Sequence, residues 1–313
     1  MAIQTRKSNP NKPPRIMIYG PEGVGKSTLG AKADNPVFIT PEGGADQLED
    51  VNGNPVDIIE GVSTWTQFLA KVKELATDKT HTFKTLVLDS ADWIETLAHA
   101  HIVGNSGKTI ITVDGGYGSG LRRSRDMHKE LIEILTDLRE KRNMTIIVTA
   151  HCHVKEVKDP DAADNYDGFE IKCHEYVSSL WREWVDILAF AKQNVYVKKS
   201  EDSDSRANGD GKRTVYLEKR PAFQAKNRYK MPAEMEFTEE FYKEIKAYTS
   251  KATSKVIEQA SVDEIHAELI ELLPLVTDEK TAAAINKSIS DAGQNGAKLT
   301  QIRNRVREIT NKG

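Results

Sequence analysis

The chain has 313 residues, of which 29% are charged and 38% hydrophobic, and its formal net charge is −3 at pH 7. That balance excludes nucleic-acid affinity from bulk positive charge, so any such surface must be local. No apolar run approaches the roughly 18 residues of a membrane span, and only Cys152 and Cys173 are present, which excludes a disulfide framework and points to a reducing cytoplasm with no membrane partner.

Residues 1–14, polar and basic with Arg6, Lys7, Lys12, Pro13 and Pro14, read as a flexible arm without the apolar core of a signal peptide. The next stretch, RIMIYGPEGVGKSTL from Arg15 to Leu29, organises the chain. Ile16, Met17 and Ile18 lead through Tyr19 into a glycine-rich turn, and a helix-forming segment begins at about Gly25. Strand, loop and helix in that order is the setting GxxxxGKS requires. Gly20, Gly25, Lys26 and Ser27 stand at its fixed positions, with Pro21, Glu22, Gly23 and Val24 between them and Thr28 after. Glycines let the backbone turn its N–H groups inward around a phosphate, and the helix N-terminus adds positive dipole. The pattern predicts a nucleoside triphosphate site in which Lys26 reaches the β- and γ-phosphates and the Ser27 hydroxyl ligates Mg²⁺.

Pro36 to Ile39 reads as a short buried strand ending in Thr40-Pro41-Glu42-Gly43-Gly44, and residues 56–59 as another. A helix is expected from about Ser63 to Ala76, with Trp65, Phe68, Leu69, Val72 and Leu75 at helical spacing and Ser63 or Thr64 as its cap. Thr85 to Asp89 is an apolar strand closed by a carboxylate, the form of a Walker B element, and Asp89 is expected to hold Mg²⁺ through water or Ser27. Residue 90 is Ser, so the Asp-Glu pair with which many ATPases activate water is absent; Glu42 is the candidate base.

Residues 104–120 are glycine-rich and include Lys108 and Tyr117; the helix expected from about Leu121 to Arg142 opens with Arg122, Arg123 and Arg125. Cations there oppose the helix dipole by roughly a few tenths of a kcal/mol. A phosphate backbone would offset this; pairing with Asp126, Glu130 or solvent is the alternative. Met144 to Ala150 is a further buried strand, followed by His151. Residues 153–175, net acidic with Asp159, Asp161, Asp164 and Asp167, are expected to form a second loop able to order on a ligand. His151, Cys152, His153, Cys173 and His174 lack the spacing of a structural zinc site, so none is expected.

From Trp184 onward the pattern turns to strands, 185–192, 195–199 and 214–220, the last two forming a hairpin around a hydrophilic turn at 200–211. Lys226 and Arg228 follow, then an amphipathic helix from about Thr238 to Tyr248. Residues 249–254 form a linker. Residues 255–313, without Trp, Tyr or Phe, read as three helices: one opened by a capping box at Ser261 and Glu264, one near Thr277 after Pro274, and one past Gly296 carrying Lys298, Arg303, Arg305 and Arg307.

GPEGVGKST, VFITPEGG, TLVLDSADWI, a long helix and TIIVTAH, in that order, resemble the RecA-type recombinase core over residues 13–248. The similarity is greatest to the short, phage-encoded RecA-like proteins grouped with single-strand-annealing recombinases. The resemblance implies an α/β fold: a RecA-like P-loop core (15–248) with a mainly parallel twisted sheet flanked by helices, plus a small all-α segment (255–313). It implies ATP and Mg²⁺ at the site, with Glu42 matching the glutamate that activates water and His151 the polar residue that senses the γ-phosphate. Residues 104–120 and 152–175 occupy the places of two DNA-binding loops. Lys226 and Arg228 resemble the Lys-x-Arg pair that related hexameric helicases insert into a neighbouring subunit's site. The expected protein is an ATPase of phage recombination in the host cytoplasm. Its expected partners are single-stranded DNA, its own copies in a ring or filament, and a single-strand-binding or replication protein. A helicase-type translocase and a nucleotide-dependent scaffold or loader are the rivals.

Overall fold

The computed structural model describes residues 5, 9, 11–158, 164–200, 203–250, 262, 265–276, 278–293 and 296–310. Most of the basic arm, the linker residues 251–254, Asp159, Asp161, Ser261, Glu264, Thr277 and the Arg307 side chain lie outside the described residues. The chain divides into two compact units, Met1–Lys246 and Ala247–Gly313.

The first unit is built on a mostly parallel sheet. Its strands are β1 (Arg15–Gly20), β2 (Pro36–Ile39), β3 (Asp57–Ile58), β4 (Thr85–Leu88), β5 (Thr145–Val157), β6 (Tyr166–Ile171), β7 (Ile187–Ser200), β8 (Ser203–Tyr216), β9 (Lys226–Asn227) and β10 (Glu234–Glu236), in the order β10-β8-β7-β1-β5-β4-β2-β3. From β7 to β3 every pair is parallel; β8, β10, β9 and β6 add antiparallel pairs. The central strands β1, β2 and β4 read as continuous apolar runs because both faces of the sheet are covered.

Alternation along each strand divides the core. Met17, Tyr19, Leu86, Leu88, Ile146 and Val148 pack with α2 (Trp65–Thr77), α3 (Ala91–Val103), α4 (Ser119–Arg142) and α5 (Glu175–Trp184). Phe38 and Val87 point the other way, against Gly30 of α1 (Lys26–Ala31), where an added Cβ would lie 2.7 Å from Val87. Thr64 caps α2 by accepting from Gln67 N–H at 3.3 Å. The unit ends within α6 (Phe241–Thr249), whose Phe241, Tyr242 and Ile245 are buried.

An ionic anchor holds the N-terminal end of the sheet. Asp186, buried just before β7, accepts from Arg15 at 2.6 Å, Arg228 at 2.9 Å and Arg139 at 3.3 Å. Burial pushes the Asp186 carboxyl upward, but the hydrogen bonds and charge of Arg15 outweigh it and hold the group below the usual range.

Two expectations are corrected. Among the described residues of 153–175, most are regular structure rather than loop: β5 runs on past His151 to Val157 and pairs with β6 as an antiparallel hairpin, and α5 follows. The hydrophilic stretch 200–211 is largely strand, because β7 and β8 form one long hairpin. Residues 104–118, glycine-rich as read, form turns and bends ahead of α4.

In the second unit, residues 265–272 form α7, a 3₁₀ turn spans Leu273–Leu275, and α8 (Glu279–Ala292) and α9 (Gly296–Thr310) follow. Asp278 caps α8 by accepting from Thr281 N–H at 2.8 Å. Ile265, Leu269, Val276, Ile285, Leu299 and Val306 supply its core. Among the described residues no helix is long and apolar enough to cross a membrane.

Candidate active site

β1 delivers the glycine-rich loop to the C-terminal end of the sheet, and α1 starts from it. Gly25 sits at φ 104° and Gly23 at φ 71°, the left-handed region that a side chain disfavours. Gly20 lies so close to β7 that a Cβ would meet the Ala191 carbonyl oxygen at 2.1 Å. Pro21, Glu22 and Gly23 are exposed along the loop, Val24 is buried, and Ser27 and Thr28 are half-buried in the first turn of α1.

Lys26 is buried, and its ammonium donates to the carbonyl oxygens of Gly20 (3.0 Å) and Pro21 (2.8 Å). Burial lowers its pKa and the Asp89 carboxylate opposes that shift. Asp89 follows β4 and accepts a short hydrogen bond from the Thr149 hydroxyl of β5. The strand order explains the pairing, since β5 lies between β1 and β4.

The register places His151 opposite Gly20, so the histidine stands beside the root of the loop. Its N–H donates to Asp92 Oδ1 at 3.1 Å and its ring Nδ1 meets Asp92 Oδ2 at 2.9 Å. The Asp92 hydrogen bond raises the pKa of His151 against the opposing effect of burial. Burial works to raise Asp92 in turn, but the two hydrogen bonds with His151 outweigh it and hold the carboxyl below its ordinary value. Glu42 lies on the exposed turn after β2; partial desolvation raises its pKa, opposed by the charge of His151 and reinforced by Asp89, Asp92 and Glu22. The fold thus gathers Lys26, Ser27, Glu42, Asp89 and His151 at one end of the sheet.

The donor set fits a metal-bound triphosphate. The Lys26 ammonium donates to two backbone carbonyls and lies in the field of Asp89, Asp92 and Glu22, and with Glu42 these four carboxylates outnumber the cations Lys26, His151 and Arg213. A polyanion entering such a field requires a divalent cation with oxygen ligands, which Asp89 and the Ser27 hydroxyl can provide.

The other expected residues lie elsewhere. His128 of α4 packs 5.3 Å from Trp65 at the start of α2, which follows β3, so the first turns of α4 are at the same sheet end as the glycine loop. There Arg122 donates to Tyr117 O at 3.0 Å, Arg123 pairs with Asp114 at 3.2 Å and Arg125 approaches Asp126 at 3.8 Å. All three arginines are exposed, as is Lys108, and Tyr117 is 96% exposed. Lys226 and Arg228 lie at the opposite end of the sheet. Lys226 pairs in register with Leu188 and donates to the carbonyl oxygens of Arg182 and Glu183 at the end of α5; Arg228 joins Asp186.

Sequence reasoning missed Asp92, Thr149 and Arg213. The first two become partners only through the β4–β5 register. Arg213 reaches back from β8 to donate to Val24 O at 3.3 Å. Its guanidinium sits 2.7 Å from where a Cβ on Gly25 would fall, a second reason for glycine there.

A family profile for the AAA domain matches residues 12–229, which spans β1 through β9. The chain belongs to the AAA domain family. The match places the glycine loop, Asp89 and His151 inside the P-loop ATPase fold of this AAA domain, a fold that implies nucleotide binding. No curated protein matches the chain. The crystal structure of the RadB recombinase is similar over 73% of this chain and 89% of that one, at 16% identity and a TM-score of 0.38.

Proposed function

We propose that this AAA domain is a Mg²⁺-dependent ATPase that binds single-stranded DNA and supports annealing or strand exchange in phage recombination. The observation that carries the ATPase reading is the convergence, at one sheet end, of the left-handed glycine loop, buried Lys26, Asp89 and His151. Lys26 and the loop amides bind and orient the phosphates. Ser27 and Asp89 hold Mg²⁺, which when bound neutralises charge on the phosphate oxygens. Glu42 faces that site from the turn after β2 and orients water; its upward-shifted pKa suits a group that accepts a proton. His151 reports the γ-phosphate.

Support for single strands is local. An exposed tyrosine and a group of exposed arginines share the nucleotide end of the molecule, and stacking plus backbone charge is how single strands are held without sequence readout. Lys226 and Arg228 are too far from their own loop to serve it, so in our reading they act on a neighbour's nucleotide within a ring or filament. ATP hydrolysis with and without single-stranded DNA, against a Lys26→Ala control, tests the proposal.

A further inference from the structure

Asp92 sits in the first turn of α3, where the helix dipole favours a carboxylate. Its side chain is 9% exposed and its partner His151 16%. The carboxylate grips that residue twice, once through the main-chain N–H and once through ring Nδ1. A carboxylate only accepts, so Nδ1 carries a proton, and the Nε2 edge of the ring is turned away from Asp92. Besides Asp92, the charges that act on the ring are Lys26 of α1 and Glu42 of the turn after β2, both members of the nucleotide site.

We propose that Asp92 is a positioning residue of this site: it clamps His151 by backbone and ring and presents Nε2–H as a cationic donor to the γ-phosphate. The inference rests on the reading of the site as an ATP site. An amide side chain at position 151 could donate to the phosphate only as a neutral group. The imidazole held by Asp92 adds a charge, and hydrogen bonds to charged groups are about twice as strong as neutral ones. The charged form is present at low pH and lost as pH rises through the His151 pKa, which Asp92 holds above the ordinary histidine value. Preference for the triphosphate should fall over the same range.

The test measures displacement of a fluorescent ADP probe by ADP and by a non-hydrolysable ATP analogue, from pH 6 to 9, in the presence of Mg²⁺. Wild type should prefer the ATP analogue. Asp92→Asn, which keeps an acceptor but removes the charge, should lower that preference by up to roughly tenfold at the pH where the wild-type preference begins to fall. Lowering the pH should restore it, because a less basic imidazole still charges there. Asp92→Asn placed on His151→Gln should lose nothing further. An unchanged preference and pH profile in Asp92→Asn would overturn the proposal, as would an equal loss in the His151→Gln background. Should Asp92→Asn not fold, the wild-type His151 ring titration by NMR decides. A value above the ordinary histidine value supports the clamp, and one at or below it overturns it. Failure of wild type to bind either nucleotide removes the ATP-site reading and the proposal together. Discrimination by wild type with an inert Asp92→Asn removes the proposal alone.

Discussion

Glu95 lies one turn beyond Asp92 on α3, and both its carboxylate oxygens accept from the His174 N–H, at 3.0 and 3.1 Å. Burial nevertheless raises its pKa to about 7, reinforced by the charge of Asp92. An acid that keeps its proton in the folded state costs stability once the unfolded chain has released its own. The Glu95 contribution to stability, read as wild type minus Glu95→Gln, should therefore decline as pH rises from about 4.5 to about 7 and then level off. Urea midpoints at pH 5 and pH 8 measure it, and identical pH dependence in both proteins would contradict the assignment. At this scale the sequence is informative where one short segment fixes the geometry. Gly20, Gly25, Lys26 and Ser27 belong to a single loop, so their spacing alone gives their arrangement. The partners Asp92, Thr149 and Arg213 depend on which strands are adjacent, and no local pattern encodes adjacency.

Among elements, the close approach of β1 to β7 makes Gly20 structural as well as functional. Gly20→Ala would drive its Cβ into the Ala191 carbonyl, where backbone must move. Overpacking of this kind costs roughly 1–3 kcal/mol, which lowers Tm by several degrees in a unit of this size. Gly44→Ala, with open space at its Cβ and no left-handed φ, serves as the control and should melt like wild type. A Gly20→Ala Tm equal to that of the control would contradict the packing argument. The elements that were legible are those with strong apolar signals. The buried strands β1, β2 and β4 read as unbroken apolar runs, and α2 presents Trp65, Phe68, Val72 and Leu75 at helical spacing. By contrast, α3 buries small residues, Ala91 and Ala98, beside Ile94 and the polar Glu95, so its amphipathic signal is weak. The outer half of β5 was hidden for a different reason: residues 153–156 are solvent-exposed, Val154 included, and an exposed hairpin arm has no buried face to set a period of two.

On the scale of the whole molecule, the two candidate functions occupy opposite ends of the sheet. The glycine loop, the acidic residues and the start of α4 share one end; Asp186, Lys226 and Arg228 share the other. Arg228 is half exposed, with 52% of its side chain open, and Asp186 keeps Arg15 and Arg139 without it. Arg228→Ala should therefore leave fold and nucleotide affinity intact while lowering assembly-dependent hydrolysis by at least about tenfold. Mixing Arg228→Ala with Lys26→Ala subunits should recover activity, because each supplies what the other lacks. A hydrolysis rate equal to wild type in every assembly, or mixtures without recovery, would contradict action in trans.

The most direct measurement is steady-state ATP hydrolysis in Mg²⁺, alone and with single-stranded or duplex DNA, with Lys26→Ala in parallel. The account predicts hydrolysis that Lys26→Ala abolishes and that single strands stimulate over duplex, with the stimulation weakened by Tyr117→Ala and by Arg122→Ala. Hydrolysis indifferent to single strands would contradict the DNA reading and favour a scaffold or loader. A rate unchanged by Lys26→Ala would contradict the assignment of the site itself.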